Sequence, residues 1–196
     1  MAPRALSWIS VSLLVFLASW SCIAARGGRA PRTADPTDGF TAVRLGESNF
    51  ALQRPFDEAI GSRYSFDGTG YDYSSGVWQF EGYGYVPSGT TGVCIMQVFG
   101  ASDGASTFML RVYDGALRYY ARQLVEDNIY NRWFRLNVVH DVKASTLTVY
   151  IDGEQKLRVH GRGGHSYFFK FGVYAQNHDS SRMESRWKHV RILKKH

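Results

Sequence analysis

Two Asp-Gly pairs, each lying between alternating apolar runs, constrain the fold of this chain more than any other feature. An Asp-Gly pair readily supplies the two left-handed residues of a two-residue hairpin turn. The sequence therefore predicts two antiparallel hairpins. The pairs and their flanking runs are Asp114-Gly115, between 107–113 and 117–122, and Asp152-Gly153, between 147–151 and 155–160.

The rest of the chain has the same short-strand texture. Aromatic residues make up 15% of the chain and there are 20 glycines, which suit strands and turns respectively. Helical periodicity is nearly absent, with room for one turn at most in 123–130. About ten short strands predict an all-β protein, an antiparallel sandwich or jelly roll. The further strand candidates are 41–45, 49–53, 76–85, 92–99, 132–141, 166–176 and 184–193.

The N-terminus has the pattern of a secretory signal. Arg4 supplies a positive charge, an apolar stretch covers 6–18, and small residues precede a cleavage site expected after Ala24. The apolar stretch is shorter than the roughly 20 residues that a membrane span requires. We therefore expect 1–24 to be removed, entry into the secretory route, and no membrane attachment afterwards. Extracellular space, cell wall and vacuole remain open as destinations.

After the expected cleavage, the chain divides into a leader and one domain. Residues 25–38 are rich in Arg, Gly and Pro without periodicity, which predicts a flexible leader before a domain at 39–196. Within that domain Cys94 lies alone in an apolar run, so we interpret it as a buried, inert thiol. The net charge of the chain, 23 − 17 = +6, favours anionic partners.

Strand alternation indicates which side chains share a face of the predicted sheet. A face that presents Lys, Tyr and Gln in a row, with a glycine between them, indicates the floor of a groove. The candidate binding residues are Gln97, Arg111, Lys170, Tyr174 and Gln176. In 166–176 the apolar face is Tyr167, Phe169, Phe171, Val173 and Ala175, opposite Phe168, Lys170, Gly172, Tyr174 and Gln176. In the two preceding strands, the core sets are Cys94, Met96 and Val98, and Phe108, Leu110 and Val112. The opposing sets are Val93, Ile95, Gln97 and Phe99, and Met109, Arg111 and Tyr113.

A plainer interpretation of these residues stays open. Lys170 and Arg111 on an exposed sheet face are also what ordinary solubilising charges look like. Tyr174 is equally compatible with a partly buried sheet aromatic that binds nothing. Arg118 and Tyr120, on the hairpin partner of Arg111, are further neighbours of the candidate groove.

Several other site classes are disfavoured by spacing. The six histidines, at 140, 160, 165, 178, 189 and 196, form no ligand cluster, so we expect no metal and no cofactor. Glu81 and Glu126-Asp127 do not have the spacing of glycosidase carboxylates and are interpreted as surface charges. Gly-rich 161–164 is a turn, since no helix follows it. The basic end, 187–196, is interpreted as a last strand, so we expect no nucleic-acid partner.

Four stretches, 71–100, 110–120, 132–141 and 167–176 (YFFKFGVYAQ), resemble the plant citrate-binding protein family. That family belongs to the alginate-lyase-like superfamily, which carries the alginate lyase 2 domain. The resemblance covers nearly all of 36–194, and 167–176 is its most specific signature. It implies a concanavalin-like β-jelly roll.

The resemblance extends only partly to the catalytic residues of the superfamily. Bacterial polyuronate lyases in it carry Tyr-Phe-Lys-x-Gly-x-Tyr-x-Gln, which Lys170, Tyr174 and Gln176 match, and Gln-Ile-His, of which Gln97 matches only the first residue. Phe99 stands where those lyases carry the histidine. Their Arg-Thr-Glu strand has no counterpart between 63–65 and Tyr71, which predicts that one strand of the groove sheet is missing.

These observations predict a binding protein, a monomer, for a small polycarboxylate such as citrate or for an acidic polysaccharide. Citrate is implied by the family and not by the spacing of residues. One alternative is a weak polysaccharide lyase acting by β-elimination, with Tyr174 as acid or base and Gln97 bonded to the uronate carboxylate. A second alternative is a truncated product with no stable function.

Overall fold

The structure is a computed structural model that describes residues 34–46, 51–52, 64–65 and 72–196. The predicted signal peptide and Cys22 lie outside these residues. The described part contains thirteen strands, one turn of 3-10 helix at Ser102–Gly104, and no helix long and apolar enough to cross a membrane. The strands are β1 (Phe40–Ala42), β2 (Ala51–Leu52), β3 (Tyr64–Ser65), β4 (Val77–Tyr85), β5 (Val93–Ala101), β6 (Ala105–Tyr113), β7 (Ala116–Tyr119), β8 (Gln123–Glu126), β9 (Trp133–Asp141), β10 (Thr146–Ile151), β11 (Glu154–His160), β12 (Phe168–Ala175) and β13 (Arg186–Lys195).

The strands form two antiparallel sheets. The six-stranded sheet has the order β1-β13-β4-β9-β10-β11, and the seven-stranded sheet has the order β2-β3-β12-β5-β6-β7-β8. Every pairing between neighbouring strands is antiparallel. This arrangement confirms the all-β sandwich predicted from the sequence.

Both predicted hairpins are present, with the turns at the predicted residues. Backbone φ is 49° at Asp114 and 82° at Gly115, and 53° at Asp152 and 89° at Gly153. Positive φ at both central residues is the requirement of a type I′ turn, whose twist matches that of the flanking strands. The two turns join β6 to β7 and β10 to β11.

The structure differs from the sequence interpretation at 123–130. The single helical turn allowed there is absent, and Gln123–Glu126 forms the strand β8, which pairs with β7. Val125 is buried in the core cluster, whereas Gln123 and Leu124 are exposed. Burying one side chain of an alternating strand outweighs a weak helical preference, because propensity alone rarely decides short segments.

Aromatic rings from both sheets meet in the core. Phe80 of β4 lies 6.1 Å from Phe169 and 5.6 Å from Phe171 of β12, measured between ring centroids. The Trp187 ring of β13 packs edge-on against Phe80 and Phe171, at 5.6 and 5.7 Å. Of these rings Phe80 and Phe169 are fully buried, and each contributes about 1.5–3 kcal/mol of hydrophobic free energy. A Cβ at Gly84 would lie 3.2 Å from Trp187 Cη2, so the glycine makes room for the indole.

Two of the expected surface carboxylates are in fact held by cations. Glu81 is only 4% exposed, and it accepts hydrogen bonds from Arg135 Nε at 2.9 Å and Arg191 Nε at 2.8 Å. The earlier interpretation of Glu81 as a surface charge was therefore wrong, since alternation does not reveal a cross-strand arginine pair. Glu126 is partly buried beside Lys156, at 3.1 Å, and only Asp127 is exposed as expected.

The last residues of the predicted flexible leader are ordered. The backbone N of Asp38 donates to the Asp35 carbonyl at 2.9 Å, which closes a turn. The Asp35 carboxylate accepts two hydrogen bonds from the Arg135 guanidinium, at 2.6 and 2.8 Å. This pairing holds the pKa of Asp35 well below its usual range. Residues 35–38 of the predicted leader thus make defined contacts, whereas the predicted bounds of leader and domain stay predictions.

One of the six scattered histidines belongs to the core. His140 is 1% exposed, its Nδ1 lies 3.0 Å from the Tyr73 hydroxyl, and its ring packs edge-on against Tyr167. Burial lowers the pKa of His140 to about 4, against a smaller opposing effect of Asp141. The imidazole is therefore neutral in the folded protein at neutral pH.

We predict that His140 makes the fold acid-sensitive. Between its unfolded pKa, about 6.5, and its folded pKa, about 4, the unfolded chain binds a proton that the folded chain does not. The contribution to stability is thus fully present above about pH 6.5 and is lost as pH falls towards 4. When the pH falls from 7 to 4.5, the unfolding free energy of His140→Gln should therefore decrease by about 2 kcal/mol less than that of the parent protein.

Urea unfolding at the two pH values tests this. The matched control is His160→Gln, which changes an exposed histidine and should keep the pH dependence of the parent. Equal pH dependence in His140→Gln and the parent would contradict the prediction.

Candidate functional site

A groove with a volume of about 560 Å³ lies on the face of the seven-stranded sheet that points away from the six-stranded sheet. Its described lining contains all five candidate binding residues, so the structure brings together what the sequence analysis proposed. The lining carries two cations and, among the described residues, no carboxylate. The lining residues are Gln97, Phe99, Gly104, Ala105, Ser106, Met109, Arg111, Lys170, Tyr174, Ala175, Gln176 and Asn177.

The groove floor depends on a graded register shift across β6, β5 and β12. A row is a set of residues that pair across the three strands and point to one face of the sheet. From one core-facing row to the next groove-facing row, β6 advances by one residue, β5 by two and β12 by three. The extra residues include Gly172, whose φ of 131° is a conformation that other residues rarely adopt. In the order β6, β5, β12, successive rows are Met109, Gln97 and Lys170; Leu110, Met96 and Phe171; and Arg111, Cys94 and Tyr174.

This shift overturns part of the predicted face assignment. Cys94 was expected on the core face with Met96, but it pairs with Arg111 and Tyr174 and lies beneath the groove. Val93 and Ile95, expected on the groove face, belong to the core cluster. The physical reason is the extra residue between Cys94 and Met96, because a β-bulge reverses the alternation on one side of it. Gln97 and Phe99 line the groove as predicted.

Gln97 is held by a neighbour that sequence reasoning missed. Gln97 is 8% exposed, and its Oε1 accepts a hydrogen bond from Ser106 Oγ at 2.6 Å. That bond fixes the amide so that Nε2 is the end available to a ligand. Strict alternation places Ser106 with the core residues of β6, but a register irregularity opposite Phe99 turns it to the groove.

Lys170 lies over an aromatic pair. Its Nζ is 4.4 Å from the ring centroid of Phe99 and 5.1 Å from that of Phe168. A cation held over aromatic faces gains about 0.5–2 kcal/mol, more when it is desolvated. Phe99, the position at which the resemblance puts a histidine in the lyases, therefore helps to position the charge of the groove.

Arg111 is stacked rather than ion-paired among the described residues. Its Cζ lies 5.2 Å from the ring centroid of Tyr120, and its Nη2 donates to Met109 Sδ at 3.3 Å. Its buried Nε has no hydrogen-bond partner in the described part of the chain. Such a group costs stability unless water or a ligand satisfies it.

Arg162 of the Gly-rich turn, which the sequence analysis did not select, is the second cation that contacts the Tyr120 ring, after Arg111. Arg162 has its Cζ 5.7 Å from the same ring centroid. Its only sequence signal was its place in a glycine-rich turn. Arg118, by contrast, donates Nη1 to the Arg122 carbonyl at 3.1 Å and does not line the groove.

Side chains at the C-terminal end of β12 are more exposed than those of β5 and β6. Tyr174 is 57% exposed, so the interpretation of it as a partly buried sheet aromatic was wrong. The backbone N–H of Gln176, the residue after β12, donates a hydrogen bond to the Gly92 carbonyl at 2.7 Å, and Gln176 lines the groove.

The strand predicted to be missing from the groove sheet would follow residues 63–65 in the chain. Ser65 of the short strand β3 pairs with Lys170 of β12. Residues 53–63 and 66–71 lie outside the described part, so the absence of an Arg-Thr-Glu strand stays a prediction. Among the described residues, no three His, Cys, Asp or Glu side chains are grouped closely enough to hold a metal ion.

The fold and the groove together define a jelly-roll β-sandwich that carries a cationic, aromatic groove on one sheet. The family model described as alginate lyase matches residues 61–194, and the chain belongs to that family. A citrate-binding protein from Hevea brasiliensis is 44% identical over 191 aligned residues, covering 83% of this chain and 80% of that protein. The resemblance stated from the sequence is confirmed.

Solved structures share the fold. A family 7 alginate lyase, A1-II′, solved in complex with a substrate, matches with a TM-score of 0.52 at 14% identity, covering 69% of this chain and 70% of that chain. Alginate lyase AlyC3 matches with a TM-score of 0.50 at 10% identity, covering 67% and 70%. Identities this low show a common architecture alone.

We predict that Cys94 is chemically inert in the folded protein. It is buried, its Sγ donates to the Met96 carbonyl at 3.2 Å, and burial raises the pKa of the thiol to about 12. Because the thiolate is the reactive form, Ellman's reagent should label Cys94 only after unfolding. The assay uses a Cys22→Ser background, with Ser88→Cys as an exposed comparison. Native labelling as fast as at that exposed thiol would show that Cys94 is not buried beneath the groove.

Proposed function

We propose that the groove binds a carboxylate-bearing ligand, either a small polycarboxylate such as citrate or an acidic polysaccharide, without cleaving it. The observation that carries this proposal is the meeting of Arg111, Lys170 and the fixed amide of Gln97 in one groove. A carboxylate bound there would accept hydrogen bonds from all three side chains.

The polar groups around the two cations suit a carboxylate. The guanidinium of Arg111 offers paired N–H donors, and Lys170 offers a point charge. The Gln97 amide, fixed by Ser106, offers a further donor through Nε2. Tyr174 adds an exposed ring and hydroxyl that would contact the apolar part of a ligand.

The relatives support the same ligand chemistry. The Hevea protein, which covers most of this chain, is named for citrate binding. The A1-II′ lyase, which shares the fold, was solved with a substrate bound. Together they favour a ligand site on this scaffold, and the cations of the groove favour an anionic ligand.

Binding is favoured over β-elimination by the residue at position 99. Elimination requires a group that removes a proton from the sugar ring. Phe99 replaces the histidine that the resemblance assigns to the lyases, and its ring packs against Lys170 instead. In this proposal the protein acts as a monomer in the secretory route, in the extracellular space, the cell wall or the vacuole.

Arg111→Ala and Lys170→Ala should each weaken citrate binding by about tenfold, since a charge-assisted hydrogen bond contributes about 1.5–3 kcal/mol. Isothermal titration of citrate into the protein purified from the full-length chain measures this. Matched controls are Arg158→Ala and Lys143→Ala, which remove exposed cations outside the groove lining and should change nothing. Oligogalacturonate is titrated in parallel to decide between the two ligand classes. Absence of binding by both ligands to a folded protein would contradict the proposal.

The same protein should produce no unsaturated sugar from alginate or polygalacturonate. Elimination creates a conjugated double bond, whose ultraviolet absorbance should stay flat over hours. Tyr174→Phe serves as the comparison, because the rival lyase mechanism requires the Tyr174 hydroxyl. An increase in absorbance that disappears in Tyr174→Phe would establish the lyase and overturn the non-catalytic proposal.

A further inference from the structure

An aromatic and cationic surface lies on the outer face of the six-stranded sheet, the face that points away from the groove sheet. This surface, the platform, consists of Tyr83 and Tyr85 of β4, Trp133 of β9, and Arg186 and Lys188 of β13. In the strand register Tyr85 lies between Arg186 and Trp133, and Tyr83 is paired with Lys188. Trp133 is 40% exposed, and both cations are exposed.

Strand alternation fixes the direction of these side chains. The intervening positions, Gly84, Phe134 and Trp187, face the core: Phe134 is fully buried, and Trp187 packs on Phe80. Because neighbouring residues of a strand point to opposite sides, the platform side chains point to solvent. The packing that forms the core therefore also holds the platform in place.

The rings and cations of the platform touch one another. The centroids of Tyr85 and Trp133 are 5.4 Å apart, with an angle of 48° between the ring planes. Lys188 Nζ lies 4.1 Å from the Trp133 centroid, and Arg186 Cζ lies 5.3 Å from the Tyr85 centroid. The surface thus joins flat apolar area to positive charge across three adjacent strands.

Nearby carboxylates do not cancel this charge. Glu184 is shared between Arg182 and Arg186, which leaves one positive charge in excess. On the side towards Tyr83, Asp35 forms an ion pair with Arg135, and Glu81 forms ion pairs with both Arg135 and Arg191. Among the described residues, Lys188 makes no ion pair.

We propose that the platform is a second binding site, for the chain of a uronate-containing polysaccharide. Sugar rings carry a flat face of C–H groups that would lie against Trp133 and Tyr85, which supply large, rigid contact area. The sugar carboxylates would pair with Lys188 and Arg186. Moving Lys188 from the indole to a carboxylate costs little, because an exposed cation–π contact contributes about 0.5–1 kcal/mol.

The balance of charge favours an acidic glycan over a neutral glycan or an acidic polypeptide. A neutral glycan would leave the cations without partners. A single-stranded nucleic acid offers both rings and charge, and the probes below separate it from the glycan. An acidic polypeptide would use the cations but not the rings. The platform lies on the opposite sheet from the groove, so this inference does not depend on the proposed function.

Affinity electrophoresis through gels containing polygalacturonate, at low salt, tests the proposal. The background is the full chain with Arg111→Ala and Lys170→Ala, which disables the groove. In that background binding should persist, Trp133→Ala should weaken it by about tenfold, and Lys188→Ala by about threefold. Trp133→Phe should retain most of the binding, since it keeps a ring. Leu124→Ala, which removes another exposed apolar side chain, should change nothing.

The competing occupants are separated by the probe. Polyglutamate and a single-stranded oligodeoxynucleotide, matched to polygalacturonate in charge, should each bind more weakly than polygalacturonate. Equal or tighter binding of either polymer would overturn the glycan assignment. Loss of polygalacturonate binding in the groove-disabled background, or unchanged binding in a Trp133→Ala variant that unfolds at the parent's temperature, would overturn the platform itself.

Discussion

The residues that line the groove are decided by the register of the three central strands of the groove sheet. Each of these strands uses a different number of residues between one row of paired residues and the next. β6, β5 and β12 advance by one, two and three residues between the same two rows, so Arg111, Cys94 and Tyr174 come into line. Without that graded shift, β5 would carry Cys94 on the core side, and the rows of the three strands would fall out of phase. The aromatic contacts between Phe80, Phe169 and Phe171 keep the core rows in place, and the groove follows from them.

The sequence predicted those parts of the fold that depend on local rules. The Asp-Gly turns require positive φ, and strict alternation identified Arg111, Lys170 and Tyr174 as one face. That prediction held because β6 advances by one residue and β12 by three between the rows, and an odd number of residues preserves the alternation. The prediction failed at Cys94, where a bulge reverses β5, and at Glu81, whose burial depends on arginines from two other strands. Bulges and cross-strand pairs are set by tertiary packing, and a single sequence carries no local signal for them.

Two residues of the groove, Phe99 and Arg111, make contacts that the sequence alone did not reveal. Phe99 looked from the sequence like a lost catalytic position, but its ring lies under the Lys170 ammonium. Arg111 keeps a buried Nε without a partner among the described residues, a group that water or a ligand in the groove would satisfy.

The sandwich architecture gives the two outer faces separate constraints. One set of side chains from each sheet fills the core, and the other set is left to solvent, so each face can vary without disturbing the other. The groove and the platform use different mixtures of the same groups: the groove has the buried amide of Gln97, which would fix a ligand's orientation, whereas the platform has rings and cations in the open. The first arrangement suits a small ligand held at several points, and the second suits an extended chain. If both sites bind a polysaccharide, the protein would join two chains. A single chain long enough to reach both faces would bind with an apparent affinity above that of either site, because its second contact would be intramolecular.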